Sequence, residues 1–210
     1  MPTVALLGDS IFDNSVYVGD QPDVATHFKN LAPAGWDVRL LAVDGSVVRM
    51  VEAQAQKMTD EVTHIVVSGG GNDALSNADI LTMPASNSSE VLTELSKRTS
   101  AFSRDYAAML DGLLKRSLPL TVCTVYYPNF PEPALQRITT AALSSFNDVI
   151  ICESVRRGIP LLDLRLVCTE KADYANEIEP SGSGGEKIAK AIIKLIDEHD
   201  FSRPRTEIYY

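Results

Sequence analysis

The chain has 210 residues, of which 45% are hydrophobic and 22% charged, a balance that suits a globular fold and excludes a disordered or fibrous one. A formal net charge of −9 argues against a general nucleic-acid partner, which needs clustered Lys and Arg, and against adhesion to an anionic membrane. No apolar run approaches the ~18 residues of a membrane span. MPTVALLGDS lacks the basic start and long apolar core of a signal peptide, and Cys123, Cys152 and Cys168 lack metal-like spacing, so reduced thiols and a cytoplasmic location are expected. His27, His64 and His199 are scattered, so no metal is expected.

TVALLG (3–8) is a short apolar run ended by Gly and reads as a buried strand. DVATHFKNLA (23–32) has helical spacing and opens on Asp23, a good N-cap. WDVRLLAV (36–43) reads as a second strand. SVVRMVEAQAQKMT (46–59) reads as a helix with Val47, Val48, Met50, Val51 and Ala55 on one side. THIVVSG (63–69) is a third strand, and 76–88 a loop or short broken helix. Over 89–116, Leu92, Leu95, Phe102, Tyr106, Met109 and Leu113 recur at helical spacing. PLTVCTVYY (119–127) reads as a fourth strand, 133–157 as a helix and IPLLDL (159–164) as a fifth strand. A last helix covers roughly 182–198, and the polar tail SRPRTEIYY crosses the surface or docks on a neighbour.

Alternating strands and helices, in one domain over 1–210, imply an α/β architecture with a parallel sheet covered on both faces. In such folds ligands sit at the carboxyl ends of the strands, so the strand-end residues carry the functional argument. Ser10 follows the first strand on a Gly-containing turn that can present a hydroxyl at the sheet edge, or simply cap a helix. Gly45 follows the second strand, where the lack of a Cβ lets a backbone N–H approach a ligand, or merely makes a turn. Asn72, in SGGGNDAL, offers an amide that could stabilise an oxyanion, or make a local Asx bond. Phe12, Tyr17, Tyr126, Tyr127 and Phe130 fall on strand-end loops, where they could wall a pocket for a small acyl group or a sugar ester, or cover the core. Segments 76–88 and 128–133 are candidate lids.

GDS after strand one, Gly after strand two and Gly70-Gly71-Asn72-Asp73 after strand three resemble, in order and spacing, the SGNH (GDSL) hydrolase family. The resemblance spans nearly the whole chain. It implies a three-layer α/β/α sandwich of flavodoxin-like type with a central parallel sheet of about five strands, and esterase, lipase or thioesterase chemistry on a small-molecule ester without a cofactor. Carried onto this chain, Ser10 becomes the nucleophile, and its N–H, the Gly45 N–H and the Asn72 side chain form the oxyanion hole. Asp9 and Asp73 support the turns.

The final block departs from the family. Its Asp-x-x-His-Pro corresponds here to Asn176, Glu179 and Pro180, with Ser181 and Gly184 in register. Three readings compete. Glu179 takes the base role, its ordinary pKa of ~4.3 raised by burial or by Asp9 and Asp73, with the Asn176 amide donating to the carboxylate. A histidine serves from elsewhere, although His64 opens a strand at the far end and His199 closes the last helix. Or the chain is a non-catalytic protein that binds an acyl or acetylated ligand. Asp9, Asp13, Asp73 and Glu179 could alternatively gather around a hard cation, though acids that support turns are the more ordinary reading.

Overall fold

The computed structural model describes residues 1–210. Six parallel strands form one sheet: β1 (Thr3–Gly8), β2 (Asp37–Leu40), β3 (His64–Ser68), β4 (Leu120–Cys123), β5 (Leu161–Leu162) and β6 (Ile208–Tyr209), in the order β2-β1-β3-β4-β5-β6. β1 is buried from Val4 to Gly8 because it pairs on both sides, Leu6 lying opposite Leu40 of β2 and Val66 of β3. A strand buried on both faces needs a continuous apolar run, and VALL supplies it.

Helices cover both faces. On one side α1 (Val24–Leu31) packs on α7 (Gly182–Glu198), whose Ile188, Ile192 and Leu195 recur at helical spacing and are buried. On the other, α2 (Val51–Ala55), α4 (Ser88–Leu114) and α5 (Pro133–Arg157) pack together. Asp23 caps α1 by accepting from Thr26 N (2.7 Å), as its sequence position implies. Short helices α3 (Gly71–Leu75) and α6 (Leu164–Val167) follow β3 and β5. The three-layer α/β/α arrangement is the expected one, and the path from β1 out to β2 and back to β3 puts the topological switch point between β1 and β3.

One expectation is refined and one is corrected. The sheet has six strands rather than about five, because the C-terminal tail docks as β6: Leu161 and Asp163 N–H donate to Glu207 O (2.9 Å) and Tyr209 O (2.8 Å). The 46–59 helix is broken into a 3₁₀ turn, Val48–Met50, and the five-residue α2. Val48, Val51 and Ala55 are buried as their spacing expects, but Met50 is exposed, Gln54 turns inward to serve β1, and the chain then closes in turns such as Lys57 N to Gln54 O (3.0 Å).

Candidate active site

Ser10 stands where β1 leaves the sheet. Gly8 has φ +127°, and a Cβ there would lie 1.6 Å from Ser68 O, so no other residue lets the chain pass β3 this closely. Gln54 holds the Gly8 peptide groups from the side, accepting from Gly8 N and donating to Gly8 O, both at 2.8 Å. One helical turn follows, in which Asp9 O accepts from Phe12 N and Asp13 N and Asp9 Oδ1 accepts from Ile11 N (3.2 Å). Ser10 sits at the start of that turn, 7% exposed.

Its hydroxyl donates to Glu179 Oε1 at 3.1 Å, across 169 residues of sequence. The segment bearing Glu179 is held at several points. Asn176 Oδ1 accepts from Ile178 N and Glu179 N, both 2.9 Å. The Tyr126 hydroxyl donates to Ile178 O (2.7 Å), and the buried Asn14 donates to Pro180 O (3.2 Å). Ala175 N donates to Glu179 O (2.9 Å), and Tyr174 forms an antiparallel bridge with Pro180.

The expected bond from the Asn176 amide to the Glu179 carboxylate is absent. Asn176 is occupied by an Asx turn that binds backbone N–H groups, so it orients the segment rather than the carboxylate. Glu179 Oε2 is buried without a protein partner, as is Asp9 Oδ2. Desolvation raises Glu179 to a pKa of about 7 against the pull of the Ser10 hydrogen bond, with nearby Asp44 adding to the rise. Burial likewise raises Asp9 to about 7 against the Ile11 N–H, with the charges of Glu179 and Asp73 contributing.

Asn72 lies in α3, past the carboxyl end of β3, and donates from Nδ2 to Ser46 O (3.1 Å), which fixes its amide beside the β2 exit loop. Gly45 occupies an exposed turn of that loop, closed by Ser46 N to Val43 O (3.1 Å). Asp73 accepts from Val48 N (3.1 Å), and burial raises its pKa. Asp13 accepts from Asp44 N (2.9 Å). Asp9, Asp13 and Asp73 thus make separate backbone contacts while Glu179 meets Ser10, and no group of three or more His, Cys, Asp or Glu converges as metal ligands. His64 packs on Phe201 beside its Thr63 contact, and His199 pairs with Glu207 (2.7 Å). His27 lies within α1, so it is Glu179 that meets the Ser10 hydroxyl.

A cavity of about 230 Å³ opens beside this pair, with Asp9, Ser10, Asn72 and Glu179 in its wall and mostly apolar side chains elsewhere. Tyr126 and Phe130 line it, and both candidate lids contribute, through Ile80 and Leu81 and through Pro128 and Phe130. Phe12 is instead fully buried in the core, Tyr17 bonds Asp44 at the exposed rim, and Tyr127 turns to Ser144 and Arg165. The supports that sequence reasoning missed are Asn14, Gln54 and the Tyr126 hydroxyl. Asn14 bridges Val24 N (3.1 Å) and Pro180 O, partners 10 and 166 residues away, which no local pattern announces.

No curated protein matches the chain. Solved structures similar to it include a lipase from a goat rumen metagenome (16% identity, 90% of this chain and 95% of that one, TM-score 0.70). An extracellular lipase from Streptomyces rimosus is similar at 16% identity over 95% of this chain and 100% of that one, TM-score 0.66. A GDSL-like lipase from Bacteroides thetaiotaomicron is similar at 15% identity over 93% and 88%, TM-score 0.63. At these identities the likeness concerns the fold. The model of the GDSL-like lipase/acylhydrolase family matches residues 6–184, from β1 and the Ser10 turn through Glu179 to the first turn of α7, and the chain belongs to that family.

Proposed function

We propose that the protein is a serine ester hydrolase in which Glu179 replaces the usual imidazole. The observation that carries this reading is the 3.1 Å hydrogen bond from Ser10 Oγ to a buried carboxylate whose pKa is raised to about 7. A general base works best with a pKa near the operating pH, and an ordinary exposed Glu is too weak a base. Here burial supplies most of the basicity that imidazole would bring.

Ser10 Oγ attacks the ester carbonyl carbon while Glu179 Oε1 takes the hydroxyl proton. The carbonyl oxygen becomes an oxyanion, stabilised by the Ser10 N–H, the Gly45 N–H and the Asn72 amide, whose plane the Ser46 carbonyl fixes. Collapse breaks the bond to the leaving oxygen or sulfur, which receives the proton from Glu179. Water then attacks the acyl-Ser10 ester, giving its proton to Glu179, which returns it to Ser10 Oγ as the acid departs. Asn176 acts through the backbone of 178–179, and Asp9 and Asp73 brace the turns that carry Ser10 and Asn72. Three free thiols, two of them buried, fit a reducing compartment such as the cytoplasm.

Hydrolysis of p-nitrophenyl esters by wild type, with Ser10→Ala as the blank, tests this reading, together with labelling by a fluorophosphonate. Ser10-dependent turnover and a covalent adduct on Ser10 are expected. Identical rates from the two proteins and no adduct would leave the family fold as a non-catalytic binder of acyl ligands.

A further inference from the structure

The cavity beside Ser10 is more specific than an ester site requires. Away from the catalytic end its wall is built from Leu81, Leu95, Val125, Phe130, Leu143 and Phe146, drawn from the 3₁₀ turn at 78–82, from α4 and α5, and from the loop after β4. Its remaining polar side chains have donors committed elsewhere. Asn77 donates to Asp73 O (2.8 Å), Thr139 to Leu135 O (2.7 Å) and Tyr126 to Ile178 O (2.7 Å). A sugar placed there would lose the hydrogen bonds its hydroxyls make with water and gain few in return, which is costly. An alkyl chain has nothing to lose.

Size points the same way. At about 230 Å³ the space is far more than an acetyl group fills and lies below the range of sites for drug-sized ligands. An acetyl ester would leave most of an apolar cavity empty, and a long fatty chain would overrun it.

We infer, resting on the hydrolase reading above, that the acyl half of the substrate is a medium-length alkyl chain that enters the α4–α5 cavity, while the alcohol or thiol half stays outside. The cavity then sets selectivity for chain length. Ala142, a small lining residue on α5, is the position at which added volume shortens the accepted chain.

The test is kcat/KM for p-nitrophenyl acetate, butyrate, octanoate and palmitate, and for a peracetylated sugar. Burial of each methylene favours the longer chain until the space is full, so octanoate should exceed acetate by about tenfold or more, and palmitate should fall back. Ala142→Phe should lower the octanoate-to-acetate ratio about tenfold. Acetate or the acetylated sugar equalling octanoate would overturn the inference and leave the hydrolase intact. If no ester is turned over, methyl octanoate against methyl acetate in a thermal-shift assay on the Ser10→Ala protein decides it. Preferential stabilisation by octanoate supports the cavity's role, and equal or absent stabilisation overturns it.

Discussion

At Glu179 two demands compete. The proposed base role asks it to hold a proton near neutral pH, yet a carboxylate in water gives its proton up near ~4.3. Burial resolves the conflict at a cost to stability, and Asp9, one residue before Ser10, shares that cost. Both carboxyls have folded-state pKa values raised to about 7. The folded state therefore holds their protons more tightly than the unfolded chain does. Their protonated forms favour folding fully below about pH 4, and that contribution is lost as pH rises through about 7. Asp9→Asn keeps an oxygen for the Ile11 N–H and removes the buried charge. It should stabilise the protein at pH 8 by on the order of 2–4 kcal/mol and have little effect at pH 4, measured by urea unfolding at both values. Equal effects at the two values would show that Asp9 does not titrate in this window. The residue types at positions 10, 72 and 179 were legible in the sequence. What Asn176 binds was not, because an Asn beside a turn can face either a side chain or its own backbone, and here the backbone N–H groups hold it.

At the scale of elements, the segment 174–180 has no helix or strand of its own beyond one bridge, and neighbouring elements impose its shape. Asn14 ties it to the start of α1, and Tyr126 ties it to the end of β4. Loss of such a tie moves the carboxylate relative to Ser10, and misplacement on the ångström scale is costly in catalysis. Asn14→Ala should reduce kcat about 10–100-fold with KM for the same ester changed less than about twofold. A drop in KM-type binding with kcat intact would assign Asn14 to the substrate rather than to the base. Strand β1 and the second half of α4, where Phe102, Tyr106, Met109 and Leu113 are buried, follow their apolar pattern because core burial is what that pattern encodes, whereas Leu92 at the start of α4 is exposed. The 46–59 segment escaped it because Gln54, a polar residue, is the one that closes on Gly8, and hydropathy carries no trace of a side chain acting as a backbone partner.

For the whole molecule, the order β2-β1-β3-β4-β5-β6 places Ser10 and Asn72 at the β1/β3 switch point, away from the C-terminal edge. There β6 covers β5, and Glu207 and Tyr209 enclose His199. Deleting residues 207–210 uncovers the β5 edge and removes the His199 partner. A loss of ~2 kcal/mol corresponds to a Tm lower by about 4–8 °C for a chain of this size, read by differential scanning fluorimetry, with Ser10-dependent activity retained below the new Tm. The layered parallel fold was legible from alternating elements, whereas a two-residue strand in a polar tail was not, since its pairing depends on an edge that exists only after the rest has folded. No helix is long and apolar enough to cross a membrane. What joins these scales is the serine–glutamate pair. Its most direct test is the pH dependence of kcat/KM for one p-nitrophenyl ester, in wild type and Glu179→Gln. Wild type should rise through an apparent pKa near 7 as the carboxylate forms. The variant should lose that limb and run about 10²–10⁴-fold slower on the plateau. A Glu179→Gln protein that matches wild type above pH 7 would contradict a carboxylate base.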